Sequence, residues 1–202
     1  MEVLHAIHTR RSIRQFKKTP VSDEVIEEVI AAGMMAPSGG NAQPWQFLVL
    51  RDAKLLATIG SKCIYAAAVA KAPAAVLVCG EPSREKNEGF WEQGCAAAVQ
   101  NMLLAAHSLG LGSVWIAFHP RPRRLADIAS LVSLPNGIQP FALLPLGIPA
   151  EEKLIEIRFD PFRIHYDRWD DSEPTPATPA AQKKKTPPKK AAPPKKPAKK
   201  KS

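Results

Sequence analysis

Cysteine is scarce in this chain of 202 residues: Cys63, Cys79 and Cys95 are the only three. They are far apart, odd in number and form no Cys-x-x-Cys pair. That excludes a disulfide framework and a cysteine zinc site, and predicts buried free thiols in a reducing compartment. Met1-Glu-Val-Leu-His5 lacks a basic stretch followed by an apolar one, so no signal peptide is expected and a cytoplasmic location is. No Gly-x-Ser-x-Gly elbow, Walker loop or Gly-x-Gly-x-x-Gly dinucleotide motif is present, and there are no internal repeats. His5 and His8 lie three apart, but no cysteine or carboxylate cluster completes a metal set. One run needs a membrane check: Cys95 to Phe118 carries no formal charge if His107 is neutral. Its helical part before Gly110 is about 15 residues, short of the ~20 a bilayer requires. It predicts a helix buried within a fold, partly against a second subunit, and no membrane span.

Charge is unevenly spread. The formal net charge is +9, from 28 basic and 19 acidic residues. Residues 172–202 hold ten of the lysines and one glutamate, leaving 18 of each sign in residues 1–171. The body is therefore neutral, and a nucleic-acid reading drawn from the overall pI would be misplaced. From Ser172 onward Pro, Ala, Thr and Lys dominate. Such a segment cannot bury enough apolar surface to offset its ordering entropy, so residues 172–202 are expected to be a disordered basic tail behind a single domain at 1–171.

Within that domain, Val3–Thr9 reads as a short helix. Ser22 is a candidate N-cap for a helix over 23–35, with Asp23 and Glu24 in its first turn. Trp45–Arg51 reads as a strand, Asp52–Ile59 as a helix and the Ala-rich Ile64–Lys71 as another. Ala74–Cys79 is continuously apolar, the mark of a strand buried on both faces. Glu81–Glu92 suits a mobile cover over a site. Gln93–Leu109 is the long central helix, with Gly94 at its very start, where it could loosen the first turn. Ser113–Phe118 reads as a strand and Pro120–Val132 as a helix. Pro140 and Pro145 demote Gln139–Gly147 to an irregular or edge strand. Residues 148–170 show neither period and read as an extended arm.

Two motifs stand out. Arg10-Arg-Ser-Ile-Arg14 places three guanidiniums and a hydroxyl within five residues, a ready phosphate grip or a solvated basic turn. Ala36-Pro-Ser-Gly-Gly-Asn-Ala-Gln-Pro-Trp45 ends a helix and can bring bare backbone N–H groups close to a flat polar ligand, or serve only as a helix-to-strand loop. With Gln100–Ala106, Leu109-Gly-Leu-Gly112 and Leu146-Gly147, and in this order, the motifs resemble the FMN-dependent nitroreductase family over roughly residues 2 to 170.

The resemblance implies an α+β fold, a three-layer α-β-α sandwich around a central mixed sheet. It implies a homodimer with an extended C-terminal arm and FMN at the interface. Carried over by motif, Arg10 and Ser12 grip the FMN phosphate, with Arg11 beside them. Arg14 matches the position facing the ribityl chain and the flavin N1–C2=O edge; the alternatives are a third phosphate ligand or a surface ion pair. Pro37, Ser38, Gly39 and Asn41, with Gln43 beside them, match the loop that reaches the flavin from the partner subunit. Trp115, Ile116 and Ala117 match backbone laid against flavin N5, and Gly147 the strand passing the phosphate. Arg158 fits a further phosphate ligand or a solvated arm. Trp45 and His107 read as core. The implied activity is ping-pong hydride transfer through flavin N5 from transiently bound NADH or NADPH to nitroaromatics, quinones or related acceptors. The short 81–92 segment sets the chain apart from relatives that destroy flavin or dehalogenate iodotyrosines. The competing reading is a flavin-binding protein whose basic tail binds nucleic acid or another polyanion.

Overall fold

The computed structural model describes residues 1–63, 65–86 and 88–169. The expected basic tail lies outside the described residues. The chain divides into a unit Met1–Ile155 and a second beginning at Glu156.

The first unit runs α1 (Val3–Thr9), α2 (Asp23–Met34), β1 (Trp45–Leu50), α3 (Ala53–Lys62), β2 (Ala74–Gly80), α4 (Trp91–Ser108), β3 (Gly112–Ser113), β4 (Ile116–Ala117), α5 (Pro122–Leu131) and β5 (Gln139–Gly147). The sheet order is β1-β2-β5-β3, with β4 also paired to β5. All pairings among these strands are antiparallel; the one parallel contact among the described residues is the isolated bridge Ser12–Ser113.

The alternation of β2 builds the three layers. Ala74, Val76 and Val78 face α2 and α4, whereas Ala75, Leu77 and Cys79 face α3 and α5. Every residue of β2 is buried, as its unbroken apolar run predicts. Full burial of a side chain such as Leu77 stabilises by roughly 1.5–3 kcal/mol. Helix α2 begins where its sequence signals put it: the Ser22 hydroxyl accepts from the Val25 N–H, a cap worth about 1 kcal/mol. Helix α4 packs on α2 so closely that a Cβ at Gly33 would lie 2.8 Å from Met102 Cγ. All three cysteines are buried free thiols, and burial pushes Cys79 and Cys95 up to about 12. No helix among the described residues is long and apolar enough to cross a membrane.

Four expectations need correction. The stretch 65–71 forms only a 3₁₀ turn at Val69–Lys71, not a helix. Pro73 forces Ala72 extended, and the segment presses so close to α3 that a Cβ on Gly60 would sit 2.7 Å from Ala70. Strand 113–118 is broken into β3 and β4. Strand β5 is irregular, as expected, but central rather than an edge: it pairs with β2 on one side and with β3 and β4 on the other. Its prolines are tolerated because Pro140 abuts a bulge between Val78 and Cys79, and Pro145 lies opposite the interruption between β3 and β4. Finally, Gly94 lies inside α4, which already begins at Trp91.

In the second unit, Asp160 caps a 3₁₀ turn at Pro161–Arg163 by accepting from the Phe162 N–H. Arg158 pairs with Glu156 at 2.8 Å, and His165 stacks on Trp169 at 3.9 Å.

Candidate functional site

The segment Arg10–Lys17 leaves α1 in extended form and is held on two sides. On one side it lies beside β3: Ser12 bridges Ser113, and the Ile13 N–H donates to the Ser113 carbonyl at 2.9 Å. Gly112 makes this approach possible, since a Cβ there would fall 2.7 Å from Ile13 Cγ2. On the other side it meets the chain leaving β5. The Lys17 N–H donates to the Ile148 carbonyl, the Ala150 N–H donates to Gln15, and Phe16 bridges Pro149. The Glu151 carboxylate accepts from the backbone N–H groups of both Arg14 and Gln15. The Arg14 N–H holds that carboxyl below the usual carboxylate range, with Lys153 and the Gln15 N–H assisting.

Three arginines leave this segment in different environments. Arg11 is a brace: its Nε donates to the Leu154 carbonyl at 2.9 Å and its Nη1 to the carbonyls of His8 and Arg10. Its Nη2 is buried without a hydrogen-bond partner, as is the Ser113 hydroxyl. A buried polar group left unpaired costs roughly 1–3 kcal/mol, so two such groups beside one arginine-rich turn mark a place built for an added acceptor. Arg10 is half-buried. Arg14 is exposed, with one long contact from Nη1 to the Ser12 carbonyl at 3.4 Å. Beneath the turn, Thr9 Oγ1 donates to the His5 carbonyl at 2.7 Å and lies 2.8 Å from His107 Nε2. Burial, with Arg10 next, keeps His107 below its ordinary pKa.

The loop 37–43 sits elsewhere, against the N-terminal end of α4. The Ser38 hydroxyl accepts from the Gln43 N–H at 2.9 Å, and the Gln43 amide donates to Asn41 Oδ1 at 3.1 Å. Gly40, Asn41 and Gln43 all take positive φ, costly for the last two and characteristic of binding loops. Gly94 lets the loop close on α4, since a Cβ there would lie 3.3 Å from Pro44 and 3.4 Å from Ser38. Gly39, Gly40, Asn41 and Gln43 stay exposed.

The expected cover over 81–92 shortens to 81–90, because α4 starts at Trp91. Arg84 donates to the Ala42 carbonyl, tying the cover to the loop, and Gln46 of β1 donates to Glu81. Between the cover and α4 lies a cavity of about 550 Å³, lined by Glu85, Glu88, Trp91, Glu92 and Gln139 among others.

The sequence profile of the Nitroreductase family matches residues 7–94 and 61–148. A Methanothermobacter thermautotrophicus protein, provisionally named NADH dehydrogenase/NAD(P)H nitroreductase, is 46% identical over 169 residues, covering 84% of this chain and 88% of its own length. The chain belongs to the nitroreductase family. Two crystal structures agree in fold. A Parabacteroides distasonis protein with the same provisional name superposes with a TM-score of 0.79 at 36% identity, over 83% of this chain and 98% of its own. A provisional nitroreductase from Desulfovibrio desulfuricans, solved in complex with FMN, gives 0.71 at 35%, over 84% and 99%.

Within this nitroreductase-family chain, Arg10, Arg11, Ser12 and Arg14 share one turn. Pro37, Ser38, Gly39, Asn41 and Gln43 share another. Ile116 is buried and Ala117 exposed in β4, whose neighbour Trp115 rests on Phe141 at 5.7 Å. Gly147 pairs Gly112 in the sheet. What demands glycine there is packing, because a Cβ would lie 2.7 Å from Pro73 and 3.1 Å from Phe16. Arg158 belongs to the second unit. Sequence reasoning missed Ser113 and Glu151; nothing local distinguishes either from an ordinary strand serine or loop glutamate.

Proposed function

We propose that this protein is an FMN-dependent NAD(P)H oxidoreductase that reduces nitroaromatics, quinones or related unsaturated acceptors. The observation that carries the reading is the clamped Arg10–Ser12 turn, with Arg11 Nη2 and the Ser113 hydroxyl buried and unpartnered beside it. A phosphate oxygen is the acceptor these donors fit. Arg10 and Ser12 hold the phosphate, Arg11 braces the turn, and Gly147 keeps the neighbouring strand low.

Bound FMN supplies a two-electron carrier that takes hydride from NADH or NADPH and passes it to the acceptor. The chain's own groups bind and polarise. Arg14 sets a fixed cation where negative charge develops on reduction. Ile116 and Ala117 offer main-chain groups at the reacting edge, and Pro37, Ser38, Gly39, Asn41 and Gln43 cover the ring. Donor and acceptor use one open site in turn, a ping-pong order consistent with the lack of a dedicated dinucleotide motif.

The placement of the two motifs supports a homodimer. The Arg10 turn sits near His107, the loop near Gly94; along α4 these are roughly 20 Å apart at 1.5 Å per residue. On this reading one cofactor touched by both is shared between two chains. Exposed apolar side chains on Val3, Leu4 and Met35 supply surface for that contact, and Ile157 and Trp169 do so in the second unit. Arg158, matched by the resemblance to a further phosphate ligand, is paired within its own unit with Glu156.

The second reading, a flavin protein whose tail binds nucleic acid or another polyanion, rests on the ten lysines after Ser172. An absorption spectrum of the purified protein before and after NADH or NADPH addition tests the leading one. A yellow protein bleached by either donor is expected. A colourless protein that takes up no added FMN overturns it.

A further inference from the structure

Arg121, Arg123 and Arg124 gather just beyond β4, where the chain enters α5. Arg121 and Arg123 are exposed, and neither side chain makes an ion pair or hydrogen bond among the described residues. Local electrostatics oppose the arrangement. The start of a helix is its positive end and disfavours cations; here the first turn holds no acidic residue and the N-cap supplies no side-chain bond. The nearby acids do not compensate: Asp127 is exposed a turn further on, and Glu92 faces His119 at 3.8 Å. A positive cluster that its own surroundings do not neutralise is expected where function demands it.

Arg124 ties the cluster to the site. Its guanidinium lies 5.0 Å from the Tyr65 ring centroid, and its Nη1 reaches the Ala117 carbonyl at 3.4 Å. Ala117 is in the backbone assigned above to the reacting edge of the flavin. A nicotinamide donor that delivers hydride there must trail its adenosine half outward over the surface. NADH and NADPH differ in that half by one group, the dianionic 2′-phosphate, and a pair of guanidinium forks is the side-chain chemistry that recognises it.

We propose that Arg121 and Arg123 form a phosphate site that selects NADPH over NADH through the 2′-phosphate. Its position relative to the flavin rests on the FMN reading above; the phosphate site itself does not. The test is a calorimetric titration of the full chain with adenosine 2′,5′-bisphosphate and with 5′-AMP. The bisphosphate should bind about tenfold more tightly or better, a gap that shrinks as salt is raised. The double substitution Arg121→Gln/Arg123→Gln should close the gap, and Lys at both positions should restore part of it. In the FMN-loaded enzyme the ratio of kcat/KM for NADPH over NADH should fall toward parity in the Gln variant. Equal affinity of the wild-type chain for the two nucleotides, or a preference that survives the Gln substitutions, overturns the proposal. Failure to take up FMN would sink the oxidoreductase reading instead and leave the nucleotide titration readable.

Discussion

Gly112 and Ile13 interlock: the space a side chain would need at 112 is filled by Ile13, whose Cβ lies 2.8 Å from where a Gly112 Cβ would stand. Neither atom is the free end of a flexible chain, so an added methyl must push the Arg10–Arg14 segment off β3. Gly112→Ala is expected to destabilise by about 1–3 kcal/mol and to lower FMN affinity by more than its loss of stability explains. Flavin content after gel filtration, set against thermal unfolding of the same sample, checks this. Wild-type flavin retention would refute the docking role.

Glu151 holds the same segment through charge. Its carboxylate accepts from the Arg14 and Gln15 N–H groups, and this holds its pKa below the ordinary value. A depressed folded pKa means the stabilisation is present above the unfolded pKa and is lost as pH falls through the folded one. FMN should therefore dissociate more readily as pH drops below the usual carboxylate range. Glu151→Gln should bind FMN more weakly at neutral pH and show a flatter acid limb. Fluorescence of released flavin reads both, and superimposable pH curves would count against the clip.

Arg14 differs from Arg11 in being exposed and only weakly tied within the chain. If it stabilises charge on the reduced ring, Arg14→Ala should make the flavin harder to reduce. Spectroelectrochemistry gives the midpoint potential directly. An unchanged potential with weakened binding would assign Arg14 to the phosphate instead.

The lysine-rich tail carries the whole excess of positive charge. Truncation before Ser172 should leave turnover intact and abolish any salt-sensitive retention on DNA. A fall in kcat on truncation would mean that the tail is part of the enzyme.

Most of the architecture could be read locally. The unbroken apolar run of β2, the Ser22 cap and acidic first turn of α2, and the charge-free stretch of α4 are patterns within a few residues, and each element formed where its pattern lay. Expectations failed where distant contacts overrode local signals. Pro140 and Pro145 argue against a central strand, yet a bulge and a broken neighbour absorb them. Alanines at 66–70 argue for helix, yet packing on Gly60 and the demand of Pro73 leave one turn.

The amino-acid order by itself determined the clustering of three arginines in one turn, the glycine loop and the neutrality of the body, because these depend on residue type and short spacing. Only the tertiary structure decided that Glu151, 137 residues from Arg14, would fasten that turn, and that Ser113 would lie buried beside it. It alone placed the arginine turn and the loop toward opposite ends of α4. Such pairings are won by burial and hydrogen-bond satisfaction across the fold, and no local pattern records them.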